Sequence, residues 1–161
     1  MRNRYKLLAE KYVQVLETEQ EPVTIRQRDG TIISRLNGKV HRLDGPAVVF
    51  SNGTKQWYQN NKFHRLDGPA IISADGSKAW FVNGKRHRLD GPAIEQANGT
   101  KEWYIDGNRH RLDGPAVVRS NGTKEWWIGD EDYSENEFNK EIQRRNILKK
   151  ASDETGIEMD I

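Results

Sequence analysis

One seven-residue motif, HRLDGPA, occurs four times in this chain and constrains its fold more than any other feature. The chain has 161 residues, of which 34% are hydrophobic and 31% are charged, a composition that favours a thin repeat array over a deep globular core. A fixed interval between copies is typical of repeat proteins, in which each unit packs only on its neighbours. The copies begin 23 residues apart, at His41, His64, His87 and His110.

Turn signals in each unit predict how one repeat folds. Asn-Gly or Asp-Gly pairs between β-forming residues predict tight hairpin turns, whose two central residues both need positive φ. Two turns per unit imply two antiparallel strands per unit. The sequence therefore predicts a mainly β fold, an elongated antiparallel meander of stacked hairpin repeats. One set of pairs begins at Asn52, Asp75, Asn98 and Asn121, and the other includes Asn83-Gly84 and Asp106-Gly107.

The limbs of a unit differ in length, which gives the motif a structural role. The β segment 62–73 is longer than the segment 54–59, and paired antiparallel strands must match in length. The extra residues of the longer segment must therefore leave the sheet. We expect the motif glycine to supply an unusual backbone conformation and the proline to stiffen the exit. The alanine should lie where the next repeat approaches closely, and the leucine should fold over apolar surface. We expect arginine and aspartate to pair or bond turn backbone, and histidine to donate to a carbonyl across the turn.

Both ends of the chain are predicted to be helical. Residues 1–21 carry apolar side chains at helical spacing, and Ser134 followed by Glu137 is a capping-box signature for a helix over about 135–150. We expect the helices to cap the ends of the sheet, since open β edges promote aggregation. The predicted organisation is a helix at 1–21, a five-unit array with degenerate first and last units at 22–131, and a capping helix with a flexible tail at 132–161.

The stretch WFVNGKRHRLDGPA at 80–93, with its 23-residue period, resembles the MORN-repeat variant family of short bacterial and tailed-phage proteins. The family pattern is W-x-x-N-G-K-x-H-R-x-D-G-P-A, and the resemblance covers residues 29–131. It implies an elongated sheet of stacked hairpins and interaction or assembly roles without catalysis. For a phage-borne chain it implies a host-directed inhibitor or accessory role. Ordinary MORN repeats have H-G-x-G where this chain has H-R-L-D-G-P.

The in-register histidines, arginines and aspartates invite a chemical interpretation, which their spacing disfavours. Equivalent residues lie two strands apart, about 9.6 Å, whereas the ligands of one zinc ion lie much closer to each other. No serine or threonine stands beside the His-Asp pairs as a nucleophile, and the chain has no cysteine. We therefore predict no enzymatic activity, no metal site and no cofactor.

Charge and hydropathy limit the compartment and the partners. The net charge is +2 with both signs interspersed, which disfavours nucleic acid as a partner. No apolar run is long enough to cross a bilayer, and charged residues interrupt the apolar positions of the N-terminal segment, which excludes a signal-peptide core. We expect a cytoplasmic protein, in the host cytoplasm if it is phage-encoded, with no membrane partner.

The predicted function is a non-catalytic repeat scaffold for protein–protein interaction, which can also dimerise through its helical ends. We expect one aromatic column to be partly exposed on the wetter face of the sheet and to bind the partner; alternatively, its rings stack as cross-strand pairs. The competing function is a small-ligand or nucleotide-binding protein that uses arginine, histidine and aromatic positions, with arginines contacting phosphate. The partner-binding residues are Tyr58, Phe81, Tyr104 and Trp127, and the ligand-binding alternative uses Arg42, Arg65, Arg88 and Arg111.

Overall fold

A computed structural model describes residues 21–156 as an antiparallel β array followed by one helix. The predicted N-terminal helix lies outside the described residues. The strands, in chain order, are β1 (Val23–Arg26), β2 (Ile32–Leu36), β3 (Lys39–Val40), β4 (Val48–Val49), β5 (Lys55–Gln56), β6 (Tyr58–Gln59), β7 (Lys62–Phe63), β8 (Ile71–Ile72), β9 (Lys78–Ala79), β10 (Phe81–Val82), β11 (Lys85–Arg86), β12 (Ile94–Glu95), β13 (Lys101–Glu102), β14 (Tyr104–Ile105), β15 (Asn108–Arg109), β16 (Val117–Val118), β17 (Lys124–Ile128) and β18 (Glu131–Tyr133).

Twelve of these strands form one open sheet, and the others form three side hairpins. The path across the main sheet is β1-β2-β4-β5-β8-β9-β12-β13-β16-β17-β18, with β3 also paired to β2, and the side hairpins are β6-β7, β10-β11 and β14-β15. Backbone hydrogen bonds join successive side hairpins, as where Gly84 N donates to Phe63 O at 2.9 Å. The predicted antiparallel meander of hairpin repeats is confirmed.

In each inner repeat, the tryptophan separates a main-sheet strand from a side-hairpin strand. The sequence did not indicate this division. The Trp57 N–H donates to Ala70 O at 2.8 Å, while Trp57 O accepts from His64 N at 3.1 Å. The main sheet therefore ends before the tryptophan and the side hairpin begins after it. The outer strands β2 and β17 are continuous over the same five positions, and the first of them has Ser34 in the tryptophan position.

The two sets of turns have different backbone conformations. In the side hairpins both central residues have positive φ, as in Asn83 at 52° and Gly84 at 84°, which confirms that expectation. In the main-sheet turns only the glycine is positive, for example Gly53 at 88°, while the side chain of Asn52 accepts from Thr54 N at 2.9 Å. The expectation of two positive φ angles is wrong for this set because its loops are longer, closed by Phe50 N donating to Thr54 O.

The two faces of the main sheet differ in burial, opposite to the predicted order. The face that carries Gln56 and Glu125 contains buried Val48 and Val117, 6% and 1% exposed. The opposite face carries an exposed lysine row, so it is the wetter one. The motif alanines are 0–1% exposed, as expected for close approach between repeats. The lysine row comprises Lys55, Lys78, Lys101 and Lys124.

Helix α1 (Glu135–Thr155) closes the C-terminal end of the array by packing on β17 and β18. The predicted capping box forms between Ser134 and Glu137, and Phe138 is the buried anchor. The helix continues five residues beyond the predicted end, because exposed ion pairs such as Lys150–Glu154 replace apolar periodicity there. It stops at Gly156, which adopts a left-handed conformation. Within residues 21–156 no helix is long and apolar enough to cross a membrane.

Candidate functional site

The fixed motif forms a loop outside the sheet, held by an arginine that lies on a tryptophan. In the second copy, Arg65 Cζ lies 4.1 Å from the centroid of the Trp57 ring. Arg65 Nε donates to Asp67 Oδ1 at 3.0 Å, and Nη1 donates to Pro69 O at 3.2 Å. One guanidinium thus joins the ring, the carboxylate and the loop backbone. The next two copies repeat the stacking, Arg88 on Trp80 and Arg111 on Trp103, each at 4.0 Å.

The motif glycine makes room for this guanidinium. A Cβ on Gly68 would lie 3.0 Å from Arg65 Cζ, tighter than nine in ten of the contacts that Cβ atoms make in proteins. The backbone of Gly68 is outside the positive-φ region, so the expectation that this glycine supplies an unusual conformation is wrong. Its lack of a side chain matters because the arginine approaches its Cα.

The first copy lacks the tryptophan and shows what replaces it at the N-terminal end. Ser34 occupies the tryptophan position, is fully buried, and lies 2.8 Å from Thr24 Oγ1 on β1. Arg42, which has no ring to stack on, donates to Asp44 through Nε at 2.8 Å and Nη2 at 3.3 Å. The expected Arg–Asp pair is therefore present in every copy, while the stacking partner is restricted to the inner units.

The motif leucines point away from the protein, contrary to the expectation that they cover apolar surface. The guanidinium already fills the space between the loop and the tryptophan, so that space is closed to the leucine. The sequence signal for this exposure is the position of the leucine inside a loop that leaves the ladder. The exposed fractions are 73% for Leu43, 79% for Leu66, 81% for Leu89 and 44% for Leu112. We call the four motif loops that carry these leucines, at 41–47, 64–70, 87–93 and 110–116, the loop row.

Successive loops enclose repeated grooves. The groove between residues 65–69 and 87–90 has a volume of about 690 Å³. The next groove, 23 residues further on, also measures about 690 Å³, and the one before is smaller, about 440 Å³. Leucine, proline and tryptophan side chains supply apolar walls to the larger two. The walls of the first are Leu66, Pro69, Trp80, Val82 and Leu89, and the equivalents in the second are Leu89, Pro92, Trp103, Ile105 and Leu112.

The outer edges of the grooves are acidic, although each loop is electrically neutral. The Asp67 side chain is 82% exposed and the Arg65 side chain only 21%. Hydrogen bonding to Arg65, followed by its positive charge, lowers the pKa of Asp67. The Arg88–Asp90 pair has the same asymmetry. A ligand approaching the loop row therefore meets ionised carboxylates before it meets the guanidinium groups.

The motif histidines bind the turn of the following unit. His64 Nδ1 lies 3.0 Å from Asn83 Oδ1, and His87 Nδ1 lies 3.0 Å from Asp106 Oδ1. The contact differs from the expected donation to a carbonyl: the N–H of Asn83 donates to His64 Nδ1, and the N–H of Asp106 donates to His87 Nδ1, each at 3.2 Å. His110 faces α1 instead, where burial and the charge of Arg145 lower its pKa.

The predicted partner-binding aromatics pack within and between the side hairpins. Tyr58 stacks on Phe63 at 4.3 Å, and Phe63 lies 5.1 Å from Phe81. Further along, Arg86 lies 5.2 Å from the Tyr104 ring and Arg109 lies 5.1 Å from the Trp127 ring. Tyr104 is buried at 5% exposure, and Tyr58, Phe81 and Trp127 are half-buried. Within the column, Tyr58 thus stacks across its hairpin on Phe63, whereas Tyr104 and Trp127 lie against arginines.

The other candidate chemistries and the comparisons with known proteins give no further site. In residues 21–156 no group of three or more histidine, aspartate or glutamate side chains is arranged to hold a metal ion. The four arginines predicted to bind phosphate lie in separate loops, and each guanidinium donates to the aspartate of its own motif. No protein-family model matches the chain, and no curated protein matches it.

Proposed function

We propose that this protein is a non-catalytic repeat scaffold that binds a protein partner through the loop row. The observation that carries the proposal is the regular exposure of the four motif leucines, three of them at 73–81%. Burial of apolar surface is worth about 25 cal/mol per Å², so a partner that covers these side chains gains affinity at each repeat. Large apolar side chains exposed beside polar groups are typical of interaction surfaces.

The use of the polar residues supports a binding role without catalysis. The histidines contact turn residues, and each motif aspartate accepts a hydrogen bond from the arginine two residues before it. We do not extend the proposal to phosphate ligands of Arg42, Arg65, Arg88 and Arg111, because their Nε donors are used inside the loops. The cytoplasmic, host-directed inhibitor or accessory role, and a homodimer through the helical ends, are parts of the proposal that rest on the sequence.

The proposal is tested by placing charge on the loop row without disturbing the sheet. The double variant Leu66→Lys/Leu89→Lys should fold, since both side chains are about four-fifths exposed, and should lose proteins that the wild type captures from a cell lysate. The matched control is Lys78→Glu/Lys101→Glu on the lysine row, which should retain them. Mass spectrometry of the captured proteins measures both. Equal capture by the wild type and the leucine variant would contradict the proposal.

A further inference from the structure

We propose that the partner segment bound by the loop row is a basic, proline-rich stretch in the polyproline II conformation. This inference rests on the proposed function and adds the chemistry of the partner. Its three supports are the interval between the grooves, the free hydrogen-bond donors in their walls, and the sign of the charge at their edges.

The interval between grooves matches a polyproline II helix better than an α-helix. Equivalent loops are two strands apart in the sheet, which is about 9.6 Å. A polyproline II helix has three residues per turn and repeats its faces about every 9.3 Å, whereas an α-helix presents every seventh residue at about 10.5 Å. Across the two intervals that separate three grooves, the mismatch is about 0.6 Å for polyproline II and about 1.8 Å for the α-helix.

Each groove is also lined by one tryptophan, whose indole N–H can donate to the carbonyl of an open backbone. In the range 21–156, the indole N–H groups of Trp57, Trp80 and Trp103 have no hydrogen-bond partner. The buried polar side-chain atom without a partner in that range is Arg109 Nε, so these indole groups reach solvent. A polyproline II segment makes no internal hydrogen bonds and its carbonyls are free to accept, while the carbonyls of an α-helix are already paired. Aromatic-lined grooves are a general means of binding such segments.

The exposed carboxylates determine the charge of the segment. Asp67, Asp90 and Asp113 have side chains 82–84% exposed, and their arginine partners are only 21–22% exposed. A lysine or arginine at every third residue of a polyproline II helix would repeat along one side at the interval of these aspartates. The structure therefore assigns a positively charged segment with a three-residue period as the ligand of the loop row.

The first experiment measures peptide binding to the full chain by fluorescence anisotropy. A labelled (Pro-Pro-Lys)4 peptide should bind, and (Pro-Pro-Glu)4 should bind at least about tenfold more weakly. A third peptide with one glycine inserted after the second triplet keeps the charge but breaks the period, and should also lose about tenfold. An amphipathic leucine–lysine helical peptide of equal charge should bind no better than these controls. Equal binding by the interrupted or the helical peptide would overturn the inference.

The second experiment tests the indole donors. The variant Trp80→Phe/Trp103→Phe keeps two rings for the arginines but lacks both N–H groups, and should bind (Pro-Pro-Lys)4 about tenfold more weakly. Trp126→Phe, outside the three grooves, is the matched control and should bind like the wild type. Nitrogen NMR of the wild-type indoles needs no variant: the peptide should shift the Trp80 and Trp103 signals and leave Trp126 unchanged. A shift confined to Trp126 would overturn the inference.

The results separate this inference from the proposed function. If the leucine variant loses its captured proteins but (Pro-Pro-Lys)4 does not bind the wild type, the partner-binding function stands and the polyproline assignment is wrong. If the peptide binds the wild type and not Leu66→Lys/Leu89→Lys, the assignment is supported whatever the lysate contains.

Discussion

At the scale of single residues, the motif glycine and arginine form one packing unit. Gly68 has the least room of the motif glycines, together with Gly91, since its Cβ would lie 3.0 Å from a guanidinium carbon. At Gly45, in the copy without a tryptophan, the same distance is 3.4 Å. The arginine therefore lies closer to the loop wherever it is also stacked on a ring.

We expect Gly68→Ala to displace the Arg65 guanidinium from the Trp57 ring and to lower the free energy of unfolding by about 1 kcal/mol, the size of a surface cation–π contact. Gly45→Ala is the matched control and should cost less, because its added methyl group has more room. Urea unfolding of both variants measures the difference. An equal loss in the two proteins would show that backbone conformation, not the arginine, requires glycine.

The motif aspartates should titrate below their ordinary range. The hydrogen bond and charge of Arg65 lower the pKa of Asp67 from 3.8, so the stability contributed by this pair is present above pH 3.8 and is lost as pH falls through the lowered value. In Arg65→Gln the pKa of Asp67 should return toward 3.8. Carbon NMR of the carboxyl groups measures it. Asp75, whose pKa is lowered by Ser77, is the control and should not change.

At the scale of secondary-structure elements, the sequence predicted the helix start more accurately than its end. Ser134 and Glu137 have a defined capping geometry, which the structure confirms. The end was missed because the last turns carry Lys150 and Glu154 on exposed positions, where charge pairing leaves no apolar period to recognise. The loop of the motif was predicted because its limb exceeds its partner in length. The outward direction of the leucines was not predicted, since nothing in the sequence indicates that the arginine fills the space beneath them.

The contact between α1 and the last motif should depend on pH. Burial, and then the charge of Arg145, lowers the pKa of His110 below 6.5. The folded protein therefore binds fewer protons than the unfolded chain just below pH 6.5, and its free energy of unfolding should fall as pH decreases through that range. Urea unfolding at about pH 7 and about pH 5 should show a smaller fall in His110→Gln than in the wild type. Identical falls would mean that His110 does not couple to the helix.

At the scale of the whole molecule, stability should be distributed along the array. Each unit contacts its neighbours through the sheet, the side hairpins and the hydrogen bonds between motif histidines and the next turn. Deletion of residues 64–86 removes one period and joins Phe63 to His87, restoring the motif at the junction. The shortened chain should fold, with a smaller dependence of unfolding free energy on urea because less surface is buried.

A deletion that does not match the period is the control for that prediction. Removal of 64–75 joins a side hairpin strand to a main-sheet turn and puts every later motif out of register. This protein should lose the β-sheet signal in circular dichroism. If both deletions behave alike, the units do not pack as interchangeable neighbours.

The hydrogen bonds of the motif histidines give the array a direction, because the imidazoles of His41, His64 and His87 each contact a turn residue nineteen positions later in the chain. During translation, a unit that has left the ribosome therefore lacks this histidine contact until the next unit has also emerged. We expect arrested nascent chains to resist protease only up to the penultimate unit, with the last unit protected once α1 has been synthesised.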